Sequence, residues 1–210
     1  MAAPCLYLVT EPMTDPDEMA QALAPALAAG GIAAVLLRLA PADERTLINR
    51  IKAVAPIVQE RETALLLDGY PDLVARSGAD GAHLTGIEAL QAALPTLKPA
   101  RIAGVGGLHT RHDAMLAGET NADYLMFGQP EAGVAPALPL TLERVSWWAE
   151  IFQVPCVGYA HAREEVGAIA AAGADFVALG SFVWADPAGV PAAIGAAAEA
   201  VAAAAAERVA

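Results

Sequence analysis

The chain has 210 residues, of which 56% are hydrophobic and 17% charged, and its formal net charge is −12. This length and composition predict one domain with a sizeable core. Twelve scattered basic residues in an acidic chain exclude nucleic acid and anionic membranes as partners. The N-terminus has no basic segment before an apolar stretch, and no apolar run approaches the roughly 18 residues of a membrane span. We therefore expect a cytoplasmic protein.

Apolar, strand-like segments alternate along the chain with helical segments rich in Ala, Leu and Glu. The strands are predicted at Pro4–Thr10, Ile32–Arg38, Ala64–Asp68, Gly81–His83, Arg101–Val105, Tyr124–Phe127, Pro155–Tyr159 and Phe176–Gly180. The helices are predicted at Asp15–Ala29, Ala42–Arg61, Pro71–Ser77, Ile87–Leu94, Arg111–Glu119, Leu140–Phe152, Arg163–Ala172 and Val190–Arg208. The stretch Gln129–Pro139, rich in Pro and Gly, is predicted to be a loop.

Strands that alternate with helices predict a parallel sheet with right-handed crossovers, and eight such units close it into a (β/α)₈ TIM barrel. We expect a single α/β domain over residues 1–210. A doubly wound open sheet is the main rival, but no Gly-x-Gly-x-x-Gly opens a helix after the first strand.

One short phrase occurs three times, each time between a helical run and a buried strand. The copies are Gly78-Ala79-Asp80-Gly81, Asn121-Ala122-Asp123-Tyr124 and Gly173-Ala174-Asp175-Phe176. Gly or Asn ends a helix by adopting the left-handed conformation, so the phrase marks the same helix-to-strand turn each time. We predict that the three aspartates lie at the N-terminal face of the barrel and accept hydrogen bonds there.

Barrels of this kind carry their active sites at the opposite, C-terminal ends of the strands. Polar residues predicted there are Thr10, Arg38, Asp68, His83, His109, Gln129, His161 and Ser181. With His112 included, all four histidines of the chain fall on or just past such ends, which favours a functional face over chance placement in loops. We expect one shared cavity for Arg38, Asp68, His83, His109, His161 and Ser181.

Several of these residues have both a functional and a structural interpretation. Asp68 ends the run LLLD and suits a Mg²⁺ ligand, or it caps the turn that follows. Arg38 ends VLLR and suits a phosphate or carboxylate, or it pairs with Asp68. Gly180 and Ser181 close the last strand, where phosphate sites of barrels occur. Cys5 and Cys156 lie in apolar strands and are predicted to be buried free thiols.

Nearly the whole chain resembles the thiamine-phosphate synthase family. The resemblance is carried by LYLVT at Leu6–Thr10, VLLR at Val35–Arg38, LLLD at Leu65–Asp68, GADGAHL at Gly78–Leu84, NADYLMFGQP from Asn121 and GADFVALGSFV from Gly173. It implies a barrel that joins a hydroxymethylpyrimidine pyrophosphate to a thiazole phosphate with Mg²⁺. It also implies a phosphate contact from Arg38 and Ser181 and a metal contact from Asp68, while the family's second metal-binding aspartate is at best Glu88 here. Gly180, Gln129 and His83 are further candidate substrate or phosphate contacts, because they lie at or next to predicted strand ends.

The chain departs from the family mainly on the catalytic face. The family glutamine and lysine around Arg38 are Leu36 and Ala40 here, and the asparagine before Asp68 is Leu67. The Thr-x-Thr-Lys loop is replaced by QPEAGVAP, and the Gly-Gly that holds phosphate after strand seven reads Ala160-His161. We therefore expect a synthase-like protein of thiamine biosynthesis whose activity is weak or lost. Its expected ligand is a small phosphorylated heterocycle, and homo-oligomer formation stays an open alternative.

Three other functions stay open. The first is a paralogue that resembles thiazole tautomerase. The tautomerase has a histidine after the last glycine of strand six, where this chain has Gln129, so proton transfer would have to come from His109 or His161. A non-catalytic binding or regulatory barrel is the second alternative. The third is a metal-dependent hydrolase that uses His83, His109, His112 and Asp68.

Overall fold

Eight parallel strands close into a barrel in chain order, with the last strand pairing with the first. The computed structural model describes residues 3–130 and 134–207. The strands are β1 (Cys5–Val9), β2 (Ile32–Leu37), β3 (Ala64–Asp68), β4 (Gly81–Thr85), β5 (Ile102–Gly106), β6 (Tyr124–Phe127), β7 (Cys156–Ala160) and β8 (Phe176–Leu179). The helices are α1 (Pro16–Ala28), α2 (Glu44–Gln59), α3 (Pro71–Ser77), α4 (Ile87–Leu97), α5 (Arg111–Glu119), α6 (Leu138–Ile151), α7 (Glu165–Ala171) and α8 (Val190–Glu207). A short 3₁₀ helix, Ser181–Val183, follows β8.

The predicted barrel is confirmed, with small shifts at the ends of its elements. β4 continues to Thr85, two residues beyond the prediction. α4 continues through Pro95 to Leu97, and α6 begins at Leu138 with a proline in its first turn, where the missing N–H leaves no helical bond unmade. Residues 131–133 of the predicted loop and the predicted helix end Arg208 lie outside the described residues.

The apolar core forms two layers because strand side chains alternate between the two faces of the sheet. The inner layer fills the barrel with residues such as Val9, Leu36, Leu66, Met126 and Val157. The outer layer lies between the sheet and the surrounding helices. The next inward positions after this layer come at the ends of β2 and β3. Side chains there therefore reach the C-terminal mouth of the barrel.

The three repeated aspartates clamp neighbouring strands at the N-terminal face, as predicted. Each carboxylate accepts a hydrogen bond at 2.7–2.8 Å from a backbone N–H in the preceding strand. Each aspartate also donates its own N–H to the carbonyl of that same residue, at 2.8–2.9 Å. The pairs are Asp80 with Leu65, Asp123 with Ala103, and Asp175 with Cys156. The repeat thus stabilises the face opposite the candidate site.

The two cysteines differ in their surroundings. Cys156 is a buried free thiol, as predicted, and its burial raises its pKa to about 12. The prediction is wrong for Cys5, whose side chain is exposed. Cys5 is the first residue of β1, at the open N-terminal end of the barrel, where no neighbouring side chain covers it fully.

Helix α8 is long and apolar enough, by length and composition, to cross a membrane, which the sequence pattern had not led us to expect. The helix packs against α7, α1 and β1. Its buried residues, Ala193, Ile194, Ala197, Val201 and Ala204, follow the helical period. Most of the remaining residues of α8 are alanines.

Candidate functional site

The C-terminal ends of the strands surround a cavity of about 570 Å³, which we call the mouth cavity. Its lining residues are Val9, Thr10, Glu11, Arg38, Pro130, Ala135, Tyr159, His161 and Ser181. A recess of about 140 Å³ shares Val9, Arg38, Pro130 and Tyr159 with it and is completed by Leu36, Asp68, Thr85 and Gln129. Six of the polar residues predicted at this face therefore line one connected opening: Thr10, Arg38, Asp68, Gln129, His161 and Ser181.

Arg38 and Asp68 meet across the ends of β2 and β3. The Arg38 Nε lies 3.5 Å from the Asp68 Oδ2, so the pairing that the sequence left open is formed. The backbone N–H of Arg38 donates to the Thr10 hydroxyl at 3.0 Å, which fixes the start of the loop. The Arg38 side chain remains 43% exposed, so its guanidinium can contact both Asp68 and an anion in the mouth cavity.

His161 follows β7 and is held by contacts on both its backbone and its ring. Its backbone N–H donates to the Glu165 carboxylate at 2.7 Å. Its ring Nε2 lies 2.7 Å from the Gly128 carbonyl, and since a carbonyl only accepts, Nε2 carries the proton. The ring also contacts Tyr159 at 4.8 Å between centroids. In the neutral ring, Nδ1 is then the proton acceptor.

Gly180 and Ser181 follow β8, the strand next to β7, and so lie near His161 at the same end of the barrel. The Gly180 N–H donates to the Ala160 carbonyl at 3.1 Å. A Cβ at Gly180 would lie 2.9 Å from that carbonyl and 2.9 Å from the Tyr159 ring, so the glycine permits the close approach of the two strand ends. Ser181 is exposed and lines the mouth cavity, where its hydroxyl can donate to a ligand.

His83 lies one layer deeper than predicted, because β4 continues beyond it to Thr85. Its side chain is fully buried. Nδ1 lies 2.9 Å from the Tyr124 hydroxyl and Nε2 lies 2.8 Å from the Gln129 Oε1. Burial lowers the pKa of His83, while the Gln129 bond and the charge of Asp68 oppose that shift. His83 is therefore a neutral interior residue that reaches the recess through Gln129.

The expectation that all six residues share one cavity is wrong for His83, which is buried below the recess, and for His109. His109 comes three residues after the end of β5 and lines an adjoining cavity of about 250 Å³ next to Thr141 and Arg144. This cavity borders the mouth cavity at Ala135, but His109 lies in the lining of neither the mouth cavity nor the recess. Glu88 is exposed in the first turn of α4 and does not line the mouth cavity or the recess.

The charges that line the mouth cavity and the recess are few and nearly balanced. Among the described residues, Arg38 is the one arginine or lysine in these linings, and Glu11 and Asp68 are the two carboxylates. Other arginines near this face contact different groups. Arg163 pairs with Asp186, Arg111 with Glu143, and Arg144 donates to the carbonyls of Leu108 and His109.

The family model described as thiamine monophosphate synthase matches residues 6–183. The chain belongs to this family. It is 38% identical over 198 residues to the thiamine-phosphate synthase of Rhodospirillum centenum, covering 90% of this chain and 93% of that protein. The thiamine-phosphate synthase of Hyphomonas neptunium is 33% identical over 188 residues, covering 85% of each.

A solved structure of the family also shares the fold. Thiamine phosphate pyrophosphorylase from Pyrococcus furiosus superposes with a TM-score of 0.77 at 20% identity, covering 95% of this chain and 96% of that chain. The 3-hexulose-6-phosphate synthase of Salmonella typhimurium superposes at 0.74 with 16% identity. At these identities the likeness shows the barrel and not the reaction.

The family generally uses Mg²⁺, which proteins usually hold with one or two carboxylates together with substrate phosphates. The opening has two carboxylates, Glu11 in the mouth cavity and Asp68 in the recess. Asp68 is paired with Arg38, and Glu88 lies outside both linings. Within residues 3–130 and 134–207, no group of three or more His, Cys, Asp or Glu side chains is placed to hold a metal. The same finding removes the geometric basis for a histidine-rich hydrolase site.

Sequence reasoning missed three residues of this opening. Tyr159 lies two residues before His161 and so shares its inward direction, a period-2 signal that the sequence contains. Glu11 directly follows the predicted end of the first strand. Trp184 donates its Nε1–H to the Val9 carbonyl at 2.8 Å and lines the adjoining space beside His161 and Ser181. No sequence pattern pointed to Trp184.

Proposed function

We propose that this member of the thiamine monophosphate synthase family binds a small phosphorylated heterocycle in the mouth cavity and has weak or no synthase turnover. Family membership supports the class of ligand. The size of the mouth cavity and the placement of Arg38 and Ser181 in its lining support the place of binding. The balance of charge in that lining supports the low turnover.

The charge balance is the observation that carries this proposal. A departing pyrophosphate carries several negative charges, and its transition state needs cationic groups already in place. Arg38 is the one arginine or lysine of the described lining, and Asp68 already neutralises part of its charge. Each missing charge-assisted contact costs about 1.5–3 kcal/mol, so several missing contacts remove most of the stabilisation.

The residues of the opening have distinct roles in this proposal. Arg38 binds the phosphate, and Ser181, supported by Gly180, donates a further hydrogen bond to it. His161 accepts a hydrogen bond from the ligand through Nδ1, because Nε2 is committed to the Gly128 carbonyl. His109 has no role, because it lines a different cavity. The single domain over residues 1–210, the homo-oligomer and the cytoplasmic location stay predictions.

Arg38→Ala should weaken binding of thiamine phosphate by roughly tenfold to 150-fold, since one charge-assisted contact is worth about 1.5–3 kcal/mol. Isothermal titration calorimetry of thiamine phosphate into the purified protein measures this change. Arg76→Ala is the matched control, because Arg76 pairs with Glu44 on the helical surface and its loss should leave binding unchanged. Equal binding by wild type and Arg38→Ala, or no binding by wild type, would refute the proposal.

A further inference from the structure

A chain of hydrogen bonds runs through the barrel interior from the N-terminal half to the recess. The hydroxyls of Tyr7 and Tyr124 are 2.8 Å apart, and Tyr124 continues the chain to His83 and then to Gln129. Tyr7, Tyr124 and His83 are at most 6% exposed. Such a row of buried polar groups is costly unless every member is satisfied, so the direction of its protons matters.

Two directions of donation are possible, and they differ at the Tyr7 end. If Gln129 donated to His83, each hydroxyl proton would point towards Tyr7, and the Tyr7 proton itself would need an acceptor. The hydroxyl of Tyr7 has Tyr124 as its hydrogen-bond partner in the described residues, and the Tyr7 side chain borders a cavity of about 310 Å³ with a mainly apolar lining. A buried hydroxyl proton without an acceptor costs about 1–3 kcal/mol.

The opposite direction satisfies every proton in the chain. Tyr7 donates to the oxygen of Tyr124, Tyr124 donates to Nδ1 of His83, and Nε2–H of His83 donates to the Oε1 of Gln129. Burial keeps the ring of His83 neutral, which leaves Nδ1 free to accept. The amide NH₂ of Gln129 is then directed away from His83.

Two glycines of β5 make room for this arrangement. A Cβ at Gly106 would lie 2.1 Å from the Gln129 Oε1 and 2.9 Å from the His83 Nε2. A Cβ at Gly104 would lie 2.4 Å from the Tyr124 hydroxyl. The backbone of β5 therefore leaves space for the two hydrogen bonds of His83.

We propose that this chain of donors fixes the amide NH₂ of Gln129 as a hydrogen-bond donor to an acceptor atom of a bound heteroaromatic ring in the recess. Gln129 is thereby a specificity-determining residue, and His83 is its positioning residue. The ring is assigned to the recess because Gln129 lines the recess and not the mouth cavity, with Leu36 and Tyr159 beside it, while Ser181 faces the larger mouth cavity. This inference rests on the proposed function for the identity of the ligand.

The orientation of Gln129 can be tested without a ligand, by NMR of ¹⁵N-labelled protein. We expect His83 to carry its proton on Nε2 alone and the side-chain NH₂ of Gln129 to exchange freely with water. Gly106→Ala should disrupt the bond between His83 and Gln129 and shift the His83 Nε2 resonance, without removing any polar group. A proton on Nδ1 of His83, or a protected Gln129 NH₂ in contact with the His83 ring, would overturn the inference.

The role of Gln129 in selection is tested with two probes, thiamine phosphate and inorganic phosphate. Gln129→Met should weaken the binding of thiamine phosphate roughly fivefold, which corresponds to the loss of about one hydrogen bond. The binding of inorganic phosphate should be unchanged. Ser181→Ala should weaken both. Equal loss of both probes in Gln129→Met would overturn the assignment to the ring. If wild type binds neither probe, the proposed function fails, and the NMR result still decides the orientation of Gln129.

Discussion

Gly104→Ala should lower the free energy of unfolding by about 3 kcal/mol, because the added methyl group has no space. A Cβ at this position would lie 2.0 Å from the Tyr124 ring and 2.4 Å from its hydroxyl. The ring cannot move away cheaply, because it is buried and bonded to both Tyr7 and His83. The cost therefore combines overpacking with the disruption of a buried polar chain.

Urea denaturation of Gly104→Ala and wild type measures this difference. Gly195→Ala is the matched control, since Gly195 lies within α8 and a Cβ there would meet nothing within 4 Å. The control should gain up to about 1 kcal/mol, the helix propensity difference between alanine and glycine. If Gly104→Ala were as stable as wild type, the barrel interior would not hold Tyr124 in this position.

The stability of the protein should fall as the pH drops below about 6.5, through the burial of His83. Burial lowers the pKa of His83 in the folded chain, so between the folded and unfolded pKa values the unfolded chain binds one more proton. His83 therefore stabilises the folded chain at pH values above its pKa in the unfolded chain. This stabilisation is lost as the pH falls towards its pKa in the folded chain. The slope reaches about 1.4 kcal/mol per pH unit at most.

Urea denaturation at several pH values between about 5 and 7.5 tests this dependence, in a window above the ordinary pKa of carboxylates. His83→Gln keeps a polar side chain and should remove most of the slope. His112→Gln, which replaces an exposed histidine, is the matched control. An unchanged slope in His83→Gln would show that another group causes the dependence.

Much of the barrel follows from local sequence signals. The three aspartates were assigned to the N-terminal face because each follows a helix end and precedes a buried strand, and their clamps on the preceding strands confirm this. Arg38 and Asp68 were placed together because each ends an apolar run of strand length, and neighbouring parallel strands end at the same edge. Such signals are local, so a single sequence contains them.

The sequence did not determine how deep a side chain lies in the barrel or where a loop places its residues. The two extra residues of β4 move His83 from the mouth into the interior, and a strand end cannot be located that finely from an apolar pattern. The loop after β5 carries His109 into an adjoining cavity, and nothing in its residues defines that direction. The contacts of Gln129 with His83 also required the three-dimensional course of β5, through Gly106.

The most direct test of the central claim is an assay of synthase turnover. The purified protein is incubated with hydroxymethylpyrimidine pyrophosphate, thiazole phosphate and Mg²⁺, and the formation of thiamine phosphate is followed over time. We predict that thiamine phosphate binds but that turnover is absent or very low, because Arg38 is the one arginine or lysine in the described lining of the mouth cavity and recess. Robust turnover that drops in Arg38→Ala and Asp68→Ala would contradict this account.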